Sequence, residues 1–430
     1  MRRARVRVGP PNNERGTTPV VADIRRVVVI LASSRSGSSL LFDLLRRTGS
    51  FVCLDGEHTH LYKLNSMGLP GWPDAHDGDV DPDADGETFL ADLLSDCTVH
   101  SGQRPRPTLA YSSQVARRLV AQWPVLTSRV EEVRDVAEEQ LLRRTSLDGK
   151  FDQDQFLLKV IDELRQRSAD IDPRYYDIPC DVVRKHFPAL ATVATAPPLP
   201  DGVIEEPPFV VPQPAAPATP EDLISRPLLI KASVDAYRVA LLEKLLSGAD
   251  VRFIHLTRNP AAAVNGLYDG WRDRGFFSHH LSGRATLAID GYSETLWGSE
   301  WWNFDLPPAW RDVVRRPLQE VCAFQWCQAN SSILAALATS PARRLSMQAE
   351  EVMAGLHRRA VALRRIFEFC GIDPTDGADS VDRVLMSTKR PTPGRWRERA
   401  AVLGPVLGDP RLRDLASRLG YGPEPDSRWT

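Results

Sequence analysis

A short polar stretch near the start of the chain holds the residues best suited to binding an anion. It reads Ser33-Ser34-Arg35-Ser36-Gly37-Ser38-Ser39. The guanidinium, the hydroxyls and the backbone N–H groups of such a turn can all donate to one phosphate or sulfate. The leading glycine and the lysine of the GxxxxGK[ST] nucleotide-triphosphate loop are both missing. The pattern therefore predicts an anion site of another kind, with a small-residue packing turn as the alternative.

The segments on either side of this loop predict how it is positioned. The apolar, β-branched run from Val27 to Leu31 is typical of a buried strand. After the loop, four leucines recur at helical spacing, at Leu40, Leu41, Leu44 and Leu45. Strand, loop and helix follow one another, so the positive end of the helix faces the anion.

A second polar cluster follows the next predicted strand. Residues 51–54 are apolar, and Asp55-Gly-Glu57-His58-Thr59-His60 comes directly after them. Strand ends face the ligand crevice in doubly wound sheets, so we expect this cluster near the loop. Glu57 is a candidate general base, with His58 and His60 as rivals. A metal site or a solvated turn are the alternatives.

Two later strands each end in a basic residue. Residues 227–230 lead to Lys231, and residues 251–257 lead to Arg258, after which Asn259-Pro260 opens a helix. Strands that alternate with helices predict an α/β fold with a central parallel sheet. Arg258 could bind a second anionic group or form a structural ion pair.

Between these two parts, residues 66–224 predict a large, mostly helical insertion. Helical patterns span 128–144 and 152–167, and residues 196–220 are rich in proline, as in a linker. Further on, six of the ten tryptophans lie between Trp271 and Trp326. Such aromatic density suits either a substrate wall or an ordinary core.

Composition narrows the class of protein. The 54 Lys+Arg and 56 Asp+Glu residues nearly cancel, so no global charge favours nucleic acid or an anionic membrane. No stretch approaches the roughly 18 apolar residues of a membrane span. The six cysteines form no CxxC pair, which favours reduced thiols and a cytoplasmic protein. Residues 1–24 predict an extended or disordered start, and residues 401–430 a helix and tail.

Taken together, these segments resemble sulfotransferases that use 3′-phosphoadenosine 5′-phosphosulfate (PAPS). The resemblance covers about residues 25–65 and 225–400. It rests on RSGSSLL (35–41), KAS (231–233), FIHLTRNPAAAV (253–264), the Trp326 helix with Asn330, and GRWR (394–397). It implies a P-loop-like three-layer sandwich, interrupted by the helical insertion.

The resemblance also implies roles for single residues. The strand-end Arg258 holds the 3′-phosphate, and Arg395 and Trp396 complete that pocket. Lys231 supports the transferring sulfonate. The 5′-phosphosulfate is gripped by the loop residues Arg35, Ser36, Gly37, Ser38, Ser39 and Leu40.

The sequence departs from the family pattern at two positions. Gly266 stands where the family usually has a serine, so the preceding Asn265 substitutes or the 3′-phosphate is held less tightly. Ser233 stands where one branch has a catalytic histidine. The second departure shifts the role of base towards Glu57 and its neighbours.

The expected activity is transfer of a sulfonate from PAPS to a hydroxyl of a small molecule, leaving PAP, with no metal required. A secondary metabolite, a nucleoside or a glycoside would suit the long insertion, and the composition is typical of high-GC bacteria. The alternatives are a nucleotide-dependent kinase and a PAP-binding protein without catalysis. No nucleic-acid or membrane partner is expected.

Overall fold

A computed structural model describes residues 19–100, 107–144, 151–167, 171, 185–188, 214–272, 277–295, 298–353, 355–373 and 392–422. Nine strands lie in these ranges: β1 (Arg26–Leu31), β2 (Val52–Cys53), β3 (Thr98–Val99), β4 (Ala216–Pro217), β5 (Leu228–Lys231), β6 (Asp250–Thr257), β7 (Phe277–His280), β8 (Trp301–Asn303) and β9 (Arg343–Gln348).

Seven of these strands form the central sheet, in the order β4-β3-β2-β5-β1-β6-β9. The five strands from β2 to β9 are parallel, and Val29 of β1 pairs with Ile230 on one side and Phe253 on the other. The predicted α/β fold with a parallel sheet is confirmed. The sheet is not wholly parallel, however, because β3 and β4, from the range predicted as an insertion, add two antiparallel strands at one end of it.

The helices cover both faces of the sheet. They are α1 (Ser38–Arg47), α2 (Thr59–Leu64), α3 (Gly86–Ser95), α4 (Leu109–Gln122), α5 (Val130–Arg144), α6 (Gln153–Arg167), α7 (Pro220–Ser225), α8 (Val239–Leu245), α9 (Pro260–Arg272), α10 (Leu318–Thr339), α11 (Ala349–Met353), α12 (Leu356–Cys370), α13 (Ala400–Leu407) and α14 (Pro410–Arg418).

Alternation along β1 divides the core between the two faces. Val27 and Val29 pack with residues of α3, α8 and α10, whereas Val28 and Ile30 pack with α1 and α12. Because successive strand side chains point to opposite faces, a continuous apolar run can fill both layers. This explains why the strand is apolar from Val27 to Leu31.

Helices α4, α5 and α6 form a third core of their own, which includes Leu119, Val133 and Phe156. The proline-rich segment lies outside the described residues up to position 213. The described residues from position 214 onwards form β4 and α7.

The tryptophan-rich region belongs to a fourth buried cluster, between α9, α10, α13 and α14. Trp271, Trp302, Trp310 and Trp326 are each at most 1% exposed. The burial of these four side chains therefore favours an ordinary core over a substrate wall. No described helix is long and apolar enough to cross a membrane.

Candidate anion-binding site

The strand order marks where a ligand crevice should lie. The chain leaves β1 for β2 on one side, and later passes from β5 to β6 on the opposite side of β1. Open α/β sheets bind ligands at the carboxyl ends of the strands where this reversal occurs. The polar stretch at residues 33–39, the anion loop, lies at that point, and its last two residues, Ser38 and Ser39, are the first two of α1.

This loop adopts the strand-loop-helix geometry that the sequence predicts. Gly37 precedes the first residue of α1 with φ of +85°, and Arg35 also has a positive φ, of 66°. A Cβ added at Gly37 would lie 2.7 Å from Cε of Met353, so only glycine fits without displacing that side chain. The first-turn N–H groups of α1 have no partner within the helix and can bind an anion.

Three of the loop hydroxyls are already engaged inside the protein. The Oγ atoms of Ser33 and Ser36 lie 2.6 Å apart, and Ser34 donates to Asp305 Oδ1 at 2.6 Å. Ser38 and Ser39 remain in the first turn of α1, each 8% exposed. The contact with Asp305 is not predicted from the sequence, because 271 residues separate the two partners.

Lys231 joins the loop to the candidate base. Its Nζ donates to Ser39 Oγ at 3.2 Å and forms a close ion pair with Glu57 Oε1. Thr59 Oγ1 donates to Glu57 Oε2 at 3.2 Å, and the Ser233 N–H lies 3.5 Å from the same oxygen. The structure therefore brings these predicted residues together around one buried ammonium.

The insertion also reaches this site. Nη2 of Arg118, on α4, lies 3.1 Å from the carbonyl oxygen of Glu57 and 3.4 Å from that of Asp55. Arg118 is only 3% exposed. It fixes the turn that carries Glu57. The sequence offers no signal for it beyond an arginine on a helix.

The two histidines beside Glu57 are fully buried and face other carboxylates. His58 Nε2 lies 3.2 Å from Tyr62 Oη and 3.3 Å from Asp235 Oδ1. His60 Nε2 lies 3.2 Å from Asp96 Oδ2. Although burial opposes ionisation of Asp96, Arg117 and His60 hold the pKa of that carboxyl below its usual range.

Arg258 lies directly beside the loop. Its Nη1 donates to the carbonyl oxygen of Arg35 at 2.9 Å. Burial lowers the pKa of Arg258 to about 10, and the charges of Arg35 and Arg395 act in the same direction, while Glu350 opposes them. Arg258 is thus still a cation at neutral pH, and two further cations, Arg35 and Arg395, lie near it.

Two further arginines, Arg395 and Arg399, contact α9 from the C-terminal part of the chain. Arg395 pairs with Asp269, and Arg399 lies 2.7 Å from Asp269 Oδ1. Arg399 Nη1 also donates to Asn265 Oδ1 at 2.7 Å. Asn265 and Asp269 are one turn apart on the same helix, so Arg399 reaches both of them. No local sequence pattern marks Arg399. Trp396 is partly buried against the aromatic core.

Gly266 leaves room for Arg35. A Cβ at this position would lie 3.3 Å from Cβ of Arg35 and 3.8 Å from its Nε. The departure from serine thus coincides with a close approach of the loop arginine to α9. Leu40, the remaining loop residue, is half-buried in the first turn of α1. Across the described ranges, no three His, Cys, Asp or Glu residues are placed to hold a metal ion.

The chain is similar to solved structures but not to any family model or curated protein. No protein-family model matches the chain, and no curated protein matches it. Among solved structures, the chain is similar to a sulfotransferase domain from the curacin biosynthetic pathway, with 11% identity, a TM-score of 0.37, and 93% of this chain and 99% of that chain covered. It is also similar to a sulfotransferase domain from the Synechococcus PCC 7002 olefin synthase, with 12% identity, a TM-score of 0.36, and coverage of 97% and 99%.

Proposed function

We propose that this chain is a PAPS-dependent sulfotransferase that moves a sulfonate from PAPS to a hydroxyl of a small-molecule acceptor. The observation that supports it best is the position of Lys231, whose ammonium contacts both Ser39 of the anion loop and Glu57. A sulfonate transfer needs a cation at the anion and a carboxylate for the acceptor proton. Lys231 supplies the cation, and Glu57, which it contacts, supplies the carboxylate.

The donor set suits a ligand with two separated anionic groups. Arg35, Lys231 and the first turn of α1 would hold the 5′-phosphosulfate. Arg258 would hold the 3′-phosphate, with Arg395 and Trp396 closing that end of the pocket. Arg399 donates to Asn265, which lies on α9. Guanidinium groups are well suited to phosphate because they bind it through two N–H donors.

PAPS supplies an activated sulfonate whose leaving group is a phosphate. Glu57 accepts the proton of the attacking hydroxyl. Lys231 and Arg35 neutralise negative charge on the oxygens around the sulfur, and the first-turn N–H groups of α1 assist them. Such a reaction depends on positioning and electrostatics, as phosphoryl transfer does. Because Lys231 contacts both Ser39 and Glu57, it would keep the base next to the anion in the loop.

The proposal is tested first by binding. Thermal unfolding is measured with PAP, PAPS and ATP·Mg²⁺, since a ligand at 100 times its Kd adds about 2.7 kcal/mol of stability. We expect stabilisation by PAP and PAPS. No shift with PAP would overturn the proposal, and a preference for ATP·Mg²⁺ would favour a kinase.

A variant then tests the placement of the nucleotide. PAP and AMP differ by the 3′-phosphate, so Arg258→Met should remove most of the difference in affinity between them. Arg418→Met, at an exposed arginine of α14, is the matched control. Product analysis with PAPS and a panel of phenols, nucleosides and glycosides completes the test. PAP binding with no sulfated product in the panel would support a binding protein without catalysis.

A further inference from the structure

A buried carboxyl group supports the anion loop from outside the site described above. Asp305 follows β8 and is 2% exposed. Its Oδ1 accepts from Ser34 Oγ at 2.6 Å, and its Oδ2 accepts from Tyr237 Oη at 2.5 Å. Ser34 lies in the anion loop after β1, and Tyr237 lies in the 3-10 helix Ser233–Tyr237, which follows β5. One carboxyl group therefore joins the two segments that carry Ser39 and Lys231.

Asp305 is itself held firmly by the aromatic core. Its carbonyl oxygen accepts from Trp302 Nε1 and from Gln325 Nε2, both at 2.8 Å. These bonds fix the backbone of Asp305, and its side chain accepts the hydrogen bond of Ser34. A change in the charge of the carboxyl group therefore acts directly on Ser34.

The surroundings of this carboxyl disfavour its charged form. Its partners are two hydroxyls, and no described arginine or lysine pairs with it. Burial raises the pKa of Asp305 to about 6, and the nearby charge of Asp77 adds to this, while the bonds from Ser34 and Tyr237 oppose it. For Asp77, burial is outweighed by His279, 3.3 Å away, by the Leu306 N–H and by Arg238, so its pKa is lowered and it stays charged.

We propose that Asp305 is a positioning residue of the anion loop, and that its carboxyl group is protonated when the loop holds an anion, so that anion binding takes up a proton. A buried carboxylate without a cationic partner repels a polyanion placed beside it. Protonation removes that repulsion. The identity of the anion as PAPS or PAP rests on the proposed function, whereas the linkage to a proton does not.

The hydrogen bonds can follow the proton. The charged carboxylate accepts from Ser34, which directs the serine hydrogen away from the loop. When a proton from solvent binds Oδ1, the new O–H can donate to Ser34 Oγ, and the serine hydrogen is then free to turn towards the anion. One proton is gained and no other covalent bond changes. Tyr237 continues to donate to Oδ2.

Calorimetry of PAP binding measures this linkage directly. Titrations at about pH 7, in two buffers of different ionisation enthalpy, give the number of protons taken up. We expect greater uptake by the wild type than by Asp305→Asn, which keeps the shape but does not titrate. Above about pH 6, the affinity of the wild type relative to the variant should fall by up to about tenfold per pH unit.

Two controls keep the outcome clear. Asp92→Asn changes a half-buried aspartate on α3, whose pKa is also raised by burial, and should behave as the wild type does. Inorganic sulfate is a second probe, because it does not titrate near neutral pH and so reports only the protons of the protein. Equal proton uptake by the wild type and Asp305→Asn, with PAP bound to both, would overturn this inference alone. Absence of PAP binding would overturn the proposed function, and the sulfate titration would still test Asp305.

Discussion

The ammonium of Lys231 lies between Glu57 and Ser39 because its strand lies between theirs. In the sheet, β5 is flanked by β2, which leads to Glu57, and by β1, which leads to the anion loop. Lys231, which is 4% exposed, contacts both. A cation at the end of the middle strand therefore links the anion loop to the candidate base.

Glu57→Gln should retain PAP binding and lose turnover. The amide cannot take up the proton of the acceptor hydroxyl, and general-base catalysis contributes about 10²- to 10⁴-fold. Sulfated product formed from PAPS and any acceptor found in the panel measures the loss, and Glu87→Gln, at an exposed residue of α3, serves as control. Turnover near that of the wild type would move the role to His58, His60 or another group.

Lys231→Met should destabilise the protein strongly. It leaves the buried Glu57 carboxylate without its cation, and breaking a buried pair typically costs about 3–5 kcal/mol. The double variant Lys231→Met/Glu57→Gln should recover part of this loss in urea unfolding, because no uncompensated charge remains. Lys159→Met, whose side chain is 41% exposed on α6, should have little effect. Equal stability of the single and double variants would contradict the pairing.

Gly37→Ala should reduce both stability and PAP affinity. At φ of +85° a β-carbon is strained, and here it would also press on Met353. We expect a loss of about 1 kcal/mol or more in unfolding free energy. Gly404→Ala is the matched control, since its added carbon meets nothing within 4 Å in α13. That variant should be neutral or slightly stabilising.

Gly266→Ser tests the close approach of Arg35 to α9. The added Cβ would approach Cβ of Arg35 at 3.3 Å, and the carbonyl oxygen of Arg35 is held by Arg258. We expect the loop arginine to be displaced and PAP affinity to fall. Calorimetric titration measures the change. Tighter binding would instead mean that a hydroxyl here improves the hold on the 3′-phosphate.

Asp305 should also make the stability of the protein depend on pH. Its pKa is raised from 3.8 to about 6, so between these values the folded state binds more protons than the unfolded state. Stability therefore falls as pH rises through this window, by about 3 kcal/mol at most. Urea unfolding of the wild type and Asp305→Asn at about pH 4, 5, 6 and 7 measures the difference. Parallel pH profiles would show that Asp305 titrates normally.

The sequence by itself determined the local elements of the site. Periodicity predicted the strand before the anion loop and the helix after it, because a buried strand and an amphipathic helix each leave a regular apolar pattern. The same patterns predicted strands that end at Lys231 and Arg258, and hence a parallel sheet. These are local properties, and they follow from residue types and spacing.

Only the tertiary structure decided which strand ends are neighbours. Strand order depends on packing between distant segments, so the contacts of Lys231 with Glu57 and Ser39 could not be worked out from spacing. The same holds for Asp305, whose bond to Ser34 spans 271 residues, and for Arg118 of the insertion. No local pattern marks these residues, because each acts through a partner that only the folded chain brings within hydrogen-bonding distance.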